Sequence, residues 1–136
     1  MPQKSVVMAA AWLEIVVGML LLTAPEILVR CLFAATPEGV GAILARFAGV
    51  GLFALGVASL PTEVTGSQSR AVLGLFLFNF GVAILLAWVG IVTTFRGVLL
   101  WPVVVLHTVI AAALLLQLLT FKTVNLAQKH SEKVVS

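Results

Sequence analysis

An arginine stands near the middle of a stretch that is otherwise apolar enough to cross a membrane. The stretch runs from Glu38 to Leu60, and Arg46 is the charge inside it. An arginine at the centre of a bilayer costs about 2.5–3.5 kcal/mol on insertion scales, so it normally faces protein or water and has a partner. The other helices of the chain are therefore expected to supply a partner for Arg46.

The same stretch predicts which side of its helix meets a neighbouring helix. Residues at a helical spacing of three or four share one side of a helix. The side that carries the arginine consists of Ala42, Arg46, Gly49, Phe53, Gly56 and Leu60. Small residues on a membrane helix allow another helix to come close, so this side is expected to pack against protein.

The composition indicates an integral membrane protein. The chain of 136 residues is 62% hydrophobic and 10% charged, whereas soluble domains are about 45–50% apolar and about 25% charged. About 20 apolar residues suffice to cross the hydrocarbon of a bilayer. Four such spans are predicted, followed by a polar tail at 122–136, and together they form a single all-α membrane domain, a bundle of four transmembrane helices. The spans are at about 5–24, 38–60, 71–92 and 99–121.

The connection between the first two spans is expected to hold a short interfacial helix. Residues 26–35 are partly amphipathic and too few to cross a bilayer. Thr36 and Pro37 then suit the N-cap and the first position of the second span. The first span is interpreted as a membrane helix rather than a cleaved signal peptide, because Glu14 interrupts its apolar run.

The distribution of basic residues predicts the orientation. With four spans, both termini and the central loop lie on one side of the membrane. That side carries Lys4, Arg70, Lys122, Lys129 and Lys133, whereas the other side carries Arg30 and Arg96. Because loops rich in Lys and Arg stay in the cytoplasm, both termini are expected there, in a bacterial cytoplasmic membrane.

Each predicted span carries one strongly polar residue near its middle: Glu14, Arg46, Asn79 and His107. At about 1.5 Å of rise per residue, all four are expected within roughly one turn of the bilayer midplane. Glu14 and Arg46 are the expected pair, since a carboxylate and a guanidinium stabilise each other away from water. The pair is interpreted as a structural link between the first two spans, with a proton-responsive site as the alternative.

The sequence predicts no catalytic residue, metal site or cofactor. A haem held by two histidines would need a second histidine inside the membrane, and His130 lies in the tail. A zinc or copper ion held by His107, Glu14 and Asn79 has no spacing pattern in its favour. Cys31 is the single cysteine. Binding to nucleic acid is not expected, because the basic residues form no run.

Two motifs and the order of the helices are similar to a known group. The motifs are LLLTAPEIL at 20–28 and an Arg-x-x-Gly at Arg46 to Gly49 that is soon followed by LFALG. With a closing pair of helices, the chain resembles the DoxX-like group of small bacterial four-helix membrane proteins. That resemblance implies a four-helix membrane fold. Most of that group has no assigned function, and some members are linked to redox partners in the membrane.

Three functional hypotheses follow. The first is a small non-enzymatic membrane protein that acts by association, as an accessory subunit or a homo-oligomer. The second is a proton-linked or solute transporter that uses Glu14, Arg46 and His107. The third is a membrane redox partner that binds a quinone near His107 and Trp101. A closed polar cluster favours the first hypothesis, whereas a water-filled cavity that reaches the cluster favours the others.

Overall fold

The protein is all-helical over the part that its structure describes. A computed structural model describes residues 2–60 and 68–135, with side chains at 5–60 and 70–120. Five helices fill these ranges, and no strand occurs in them: α1 (Pro2–Thr23), α2 (Pro25–Phe33), α3 (Val40–Ser59), α4 (Gln68–Val92) and α5 (Leu100–Val135). The all-α prediction is confirmed.

Four of these helices are long and apolar enough to cross a membrane. The apolar segments are Ser5–Thr23, Val40–Ser59, Arg70–Val92 and Leu100–Thr120. At about 1.5 Å per residue each is close to the roughly 30 Å thickness of a hydrocarbon core. The predicted four-span bundle agrees with these helices, and most of the polar loop after the second span lies outside the described residues.

The start of α3 differs from the prediction. α3 begins at Val40 with Gly39 as its N-cap, and Gly39 has a φ of 50°, which glycine adopts without strain. Thr36 does not cap the helix, which begins four residues later, and its hydroxyl accepts a hydrogen bond from Nη2 of Arg30 at 3.3 Å. The predicted N-cap at Thr36 and helix start at Pro37 are therefore wrong.

α1 and α3 pack with their backbones in near contact. A Cβ added to Gly49 would lie 2.9 Å from the carbonyl oxygen of Gly18, and one added to Gly18 would lie 2.6 Å from the backbone nitrogen of Phe53. Real Cβ atoms do not come that close to backbone atoms. Gly49 and Gly56 are both buried. The predicted small-residue side of α3 therefore does pack against protein, and its partner is α1.

The second helix pair consists of α4 and α5, and α1 packs beside it. Leu100 of α5 lies against Gly90 of α4, close enough that a Cβ on this glycine would be 2.7 Å from the leucine side chain. A buried apolar cluster from three helices, α1, α4 and α5, joins the two pairs: Ala10, Val72, Leu75 and Leu114. Burial of these residues makes the four spans one bundle.

α2 is held by the loop between α4 and α5. The backbone N–H of Gly97 donates to the carbonyl of Leu32, and that of Leu99 donates to the carbonyl of Cys31, each at 2.9 Å. These bonds satisfy carbonyls that a helix leaves unpaired at its C-terminal end. The short helix predicted at 26–35 is therefore present as α2, and it lies at the same end of the bundle as the 93–99 loop.

α5 continues well beyond its apolar segment. It runs to Val135, through most of the polar tail predicted at 122–136. Residues 122–135 contain no glycine and no proline, which are the residues least favourable inside a helix. The tail therefore extends α5.

The α1–α3 contact generates the first prediction. Gly49→Ala places a Cβ against the backbone of α1, and we expect it to lower the free energy of unfolding in detergent by about 1–3 kcal/mol, as overpacking does in soluble cores. Gly81→Ala is the matched control, because a Cβ at Gly81 meets nothing within 4 Å. Equal stability of the two variants would contradict the close α1–α3 contact.

Candidate functional site

The side-chain amide of Asn79 lies at the centre of a buried polar chain. Its Nδ2 donates to the carbonyl of Leu75 in its own helix at 2.8 Å and to Oε1 of Glu14 in α1 at 3.4 Å. Its Oδ1 lies 2.7 Å from Nδ1 of His107 in α5. One side chain of α4 thus connects to α1 and α5. We call Glu14, Asn79 and His107 the polar chain.

Two members of this chain, Glu14 and Asn79, are buried, and His107 is half-buried. Glu14 is 1% exposed and Asn79 is 0% exposed, so water at the bundle surface does not reach them. The amide oxygen of Asn79 can only accept, hence Nδ1 of His107 must be the donor. The imidazole therefore carries a proton on Nδ1, and its tautomer is fixed when it is neutral.

The sequence around Glu14 explains why these helices meet there. Ala10 and Ala11 precede it by about one turn and are fully buried, so α1 has little bulk at this level. Leu75 is buried one turn before Asn79 in α4, and Leu114 is buried two turns after His107 in α5. The ring of Phe78 lies edge-on to that of His107, with the two ring centroids 6.3 Å apart. Apolar packing thus surrounds the chain, and hydrogen bonds are stronger in such surroundings.

Arg46 does not belong to this chain. Its Nη2 lies 3.6 Å from Oε1 of Glu26 in α2, and its Nη1 donates a long hydrogen bond of 3.5 Å to the carbonyl of Ala42 in its own helix. The expected ion pair between Glu14 and Arg46 is wrong. Of the four residues predicted to form one cluster, the structure brings together Glu14, Asn79 and His107.

The orientation of α1 about its own axis explains why Glu14 and Arg46 do not meet. Ala11, Ile15 and Gly18 lie against the glycines of α3, and this leaves Glu14 directed toward α4. Arg46 instead extends toward the start of α3, as long basic side chains do when they reach for a membrane boundary. Backbone depth alone favours Glu14 as the partner of Arg46, and the signal for Glu26 in the sequence is its place just after the first span.

Two other polar residues of α5 have different environments. Thr108 is exposed and donates to the carbonyl of Val104 in its own helix at 2.8 Å. Gln117 is buried. Thr108 is therefore a surface residue of the bundle with a locally satisfied hydroxyl.

An apolar groove lies between α4 and α5, apart from the polar chain. Its volume is about 390 Å³, and the stacked rings of Phe76 and Phe80 lie along it with centroids 5.6 Å apart. Glu14, Asn79 and His107 are absent from its lining. Within the described residues no three His, Cys, Asp or Glu side chains come together in a group that could hold a metal ion.

Comparison of the chain with protein-family models, curated proteins and solved structures finds no match. The resemblance to DoxX-like proteins therefore stays a prediction.

The polar chain can fix the positions of α1, α4 and α5 relative to one another. It also places two titratable groups, Glu14 and His107, on either side of the Asn79 amide.

The polar chain generates the second prediction. Asn79→Leu keeps a similar volume and removes both interhelical hydrogen bonds, which leaves buried polar atoms of Glu14 and His107 without that partner. An unsatisfied buried polar group costs about 1–3 kcal/mol, and we expect unfolding in detergent to show a loss of that size. Thr108→Val is the control, since it removes only a bond within α5. Equal stability of both variants and the wild-type protein would contradict the role of Asn79.

Proposed function

We propose that this chain is a small non-enzymatic integral membrane protein that acts by self-association within the bilayer. The observation that carries the proposal is the outward side of α3. There Gly51, Ala54 and Ala58 are all exposed, on the side of the helix away from α1. A Cβ added to Gly51 would meet nothing within 4 Å.

Small residues at this spacing favour helix association in membranes. Ala54 and Ala58 are four residues apart, and Gly51 precedes Ala54 by one turn, so the three lie on one stripe. Two helices that carry such a stripe approach closely and gain van der Waals contact that lipid chains do not supply. α3 is also the least buried span, with 11% of its apolar segment buried against 17–33% in the other three.

Self-association fits this surface because a symmetric dimer uses the same patch on both copies. The stripe on α3 is its own complement when two copies meet about a twofold axis. The polar chain would then serve to keep each bundle rigid while its outer side binds the second copy. Under this proposal the partners are lipid and a second copy of the chain.

The proposed location is a bacterial cytoplasmic membrane with both termini in the cytoplasm. The support is the excess of basic residues on the side of the termini and central loop, since Arg30 and Arg96 are the basic residues of the opposite loops. Trp88 and Trp101 are exposed near the end of α4 and the start of α5. Both would lie at the outer interface, where tryptophan is enriched.

A second candidate is a proton-linked membrane protein. It is favoured by the hydrogen bonds that connect Glu14, through Asn79, to His107, since chains of such residues mark proton pathways in membranes. Arg46 is not part of that candidate site, because it pairs with Glu26. The quinone hypothesis stays a prediction, and the aromatic side chain that lies against His107 is Phe78 rather than Trp101.

The third prediction tests self-association. Donor- and acceptor-labelled copies, reconstituted together in lipid vesicles, should show energy transfer that rises with the protein-to-lipid ratio and exceeds that of an unrelated four-helix protein. Gly51→Leu places a bulky side chain on the proposed contact and should weaken dimerisation about tenfold or more, a difference of about 1.4 kcal/mol.

Gly81→Leu is the matched control for this experiment. Gly81 is also exposed, on α4, and a Cβ there also meets nothing within 4 Å, so the variant adds the same bulk elsewhere on the surface. It should associate like the wild-type protein. Energy transfer no greater than that of the unrelated protein, or equal losses in the two variants, would overturn the proposal.

A further inference from the structure

The ion pair of Glu26 and Arg46 lies at the lipid-facing surface of the bundle. Each of the two side chains is 46% exposed, in contrast to the buried polar chain. Their closest atoms, Oε1 and Nη2, are 3.6 Å apart. A carboxylate and a guanidinium therefore lie side by side, and about half of each side chain is exposed.

The position of the pair is near one membrane boundary. Nη1 of Arg46 reaches back to the carbonyl of Ala42, and Ala42 follows the start of α3 at Val40 by about 3 Å of helical rise. Glu26 belongs to the first turn of α2, which directly follows the end of α1. The charged ends of both side chains thus lie within about one turn of the same helix ends, at the depth of lipid headgroups.

Apolar side chains border the pair. Ile27 follows Glu26, and Ile43 and Phe47 flank Arg46 on α3; all three are exposed. Ile43 and Phe47 belong to a membrane span, where exposed apolar residues contact acyl chains. A ligand that reaches the pair from this side is therefore a lipid, whose chains cover these residues while its headgroup meets the charges.

The pair retains unused hydrogen-bonding capacity. A guanidinium has five N–H donors, and a carboxylate accepts on two oxygens. Among the described residues Arg46 makes the two contacts given above, at 3.5 and 3.6 Å, which are long for hydrogen bonds. Nearby Arg30 already donates to Thr36. Arg46 and Glu26 thus keep free donors and acceptors at this boundary.

We propose that Arg46 and Glu26 bind the headgroup of a phospholipid that carries a phosphate and a primary ammonium, such as phosphatidylethanolamine. The phosphate accepts from Arg46, whose planar fork suits phosphate oxygens. The ammonium donates to Glu26. A choline headgroup has no N–H to donate to the carboxylate, and a headgroup with only negative charge would place that charge beside Glu26. The chemistry of the pair therefore selects the ethanolamine headgroup.

The fourth prediction tests this site with three lipids. The purified protein in detergent is titrated with dioleoyl phosphatidylethanolamine, phosphatidylcholine or phosphatidylglycerol, and its unfolding temperature is measured. The ethanolamine lipid should raise the unfolding temperature at a concentration about tenfold lower than the other two lipids need. That ratio corresponds to about 1.4 kcal/mol, the size of one hydrogen bond to a charged group. Native mass spectrometry of the same mixtures should show the same preference in retained lipid.

Three variants assign the preference to the pair. Glu26→Gln removes the partner of the ammonium and should make the ethanolamine and choline lipids equivalent, while Arg46→Gln should weaken binding of all three lipids. Arg30→Gln is the control and should keep the preference. If Arg46→Gln does not fold, Glu26→Gln decides alone. Equal binding of the three lipids to the wild-type protein, preference for phosphatidylglycerol, or a preference that survives Glu26→Gln would overturn the proposal.

Discussion

The oxygen and the nitrogen of the Asn79 side-chain amide both need hydrogen-bond partners, and the neighbouring helices provide them. A polar side chain inside a membrane bundle has no water to bond with, so its hydrogen bonds must come from protein. Asn79 is fully buried and bonds to its own helix, to Glu14 of α1 and to His107 of α5. One side chain therefore links three helices, beside the apolar cluster that also joins them.

Different forces hold the other parts of the bundle together. α1 and α3 are joined by close backbone contact at glycines, which is the van der Waals packing that replaces the hydrophobic effect between helices in lipid. α2 is fixed by backbone hydrogen bonds from the loop between α4 and α5. The polar chain acts between the two helix pairs, where small residues such as Ala10 give it room. Arg46 and Glu26 lie outside this network and face the lipid.

The sequence predicts the spans well because hydropathy and length are local properties. It also predicts that Glu14, Asn79 and His107 come together in the bundle, since each is the strongly polar residue near the middle of its span. It does not predict that Arg46 leaves this group. The packing of Gly18 against Phe53 of α3 determines which helix Glu14 faces. The depth of the backbone at Arg46 does not show how far its side chain reaches. The start of α3 differs from the prediction because the chain turns at Gly39, whose φ of 50° lies outside the helical region.

The most direct measurement is a double-mutant cycle of unfolding in detergent between Asn79→Leu and His107→Leu, compared with a second cycle between Glu14→Gln and Arg46→Gln. If the polar chain joins the helices, the first pair of changes is coupled by about 0.6–1.7 kcal/mol, the range for hydrogen bonds between membrane helices. The second pair is additive to within about 0.5 kcal/mol. An additive first cycle, or a coupled second cycle, would contradict the arrangement of helices around Asn79.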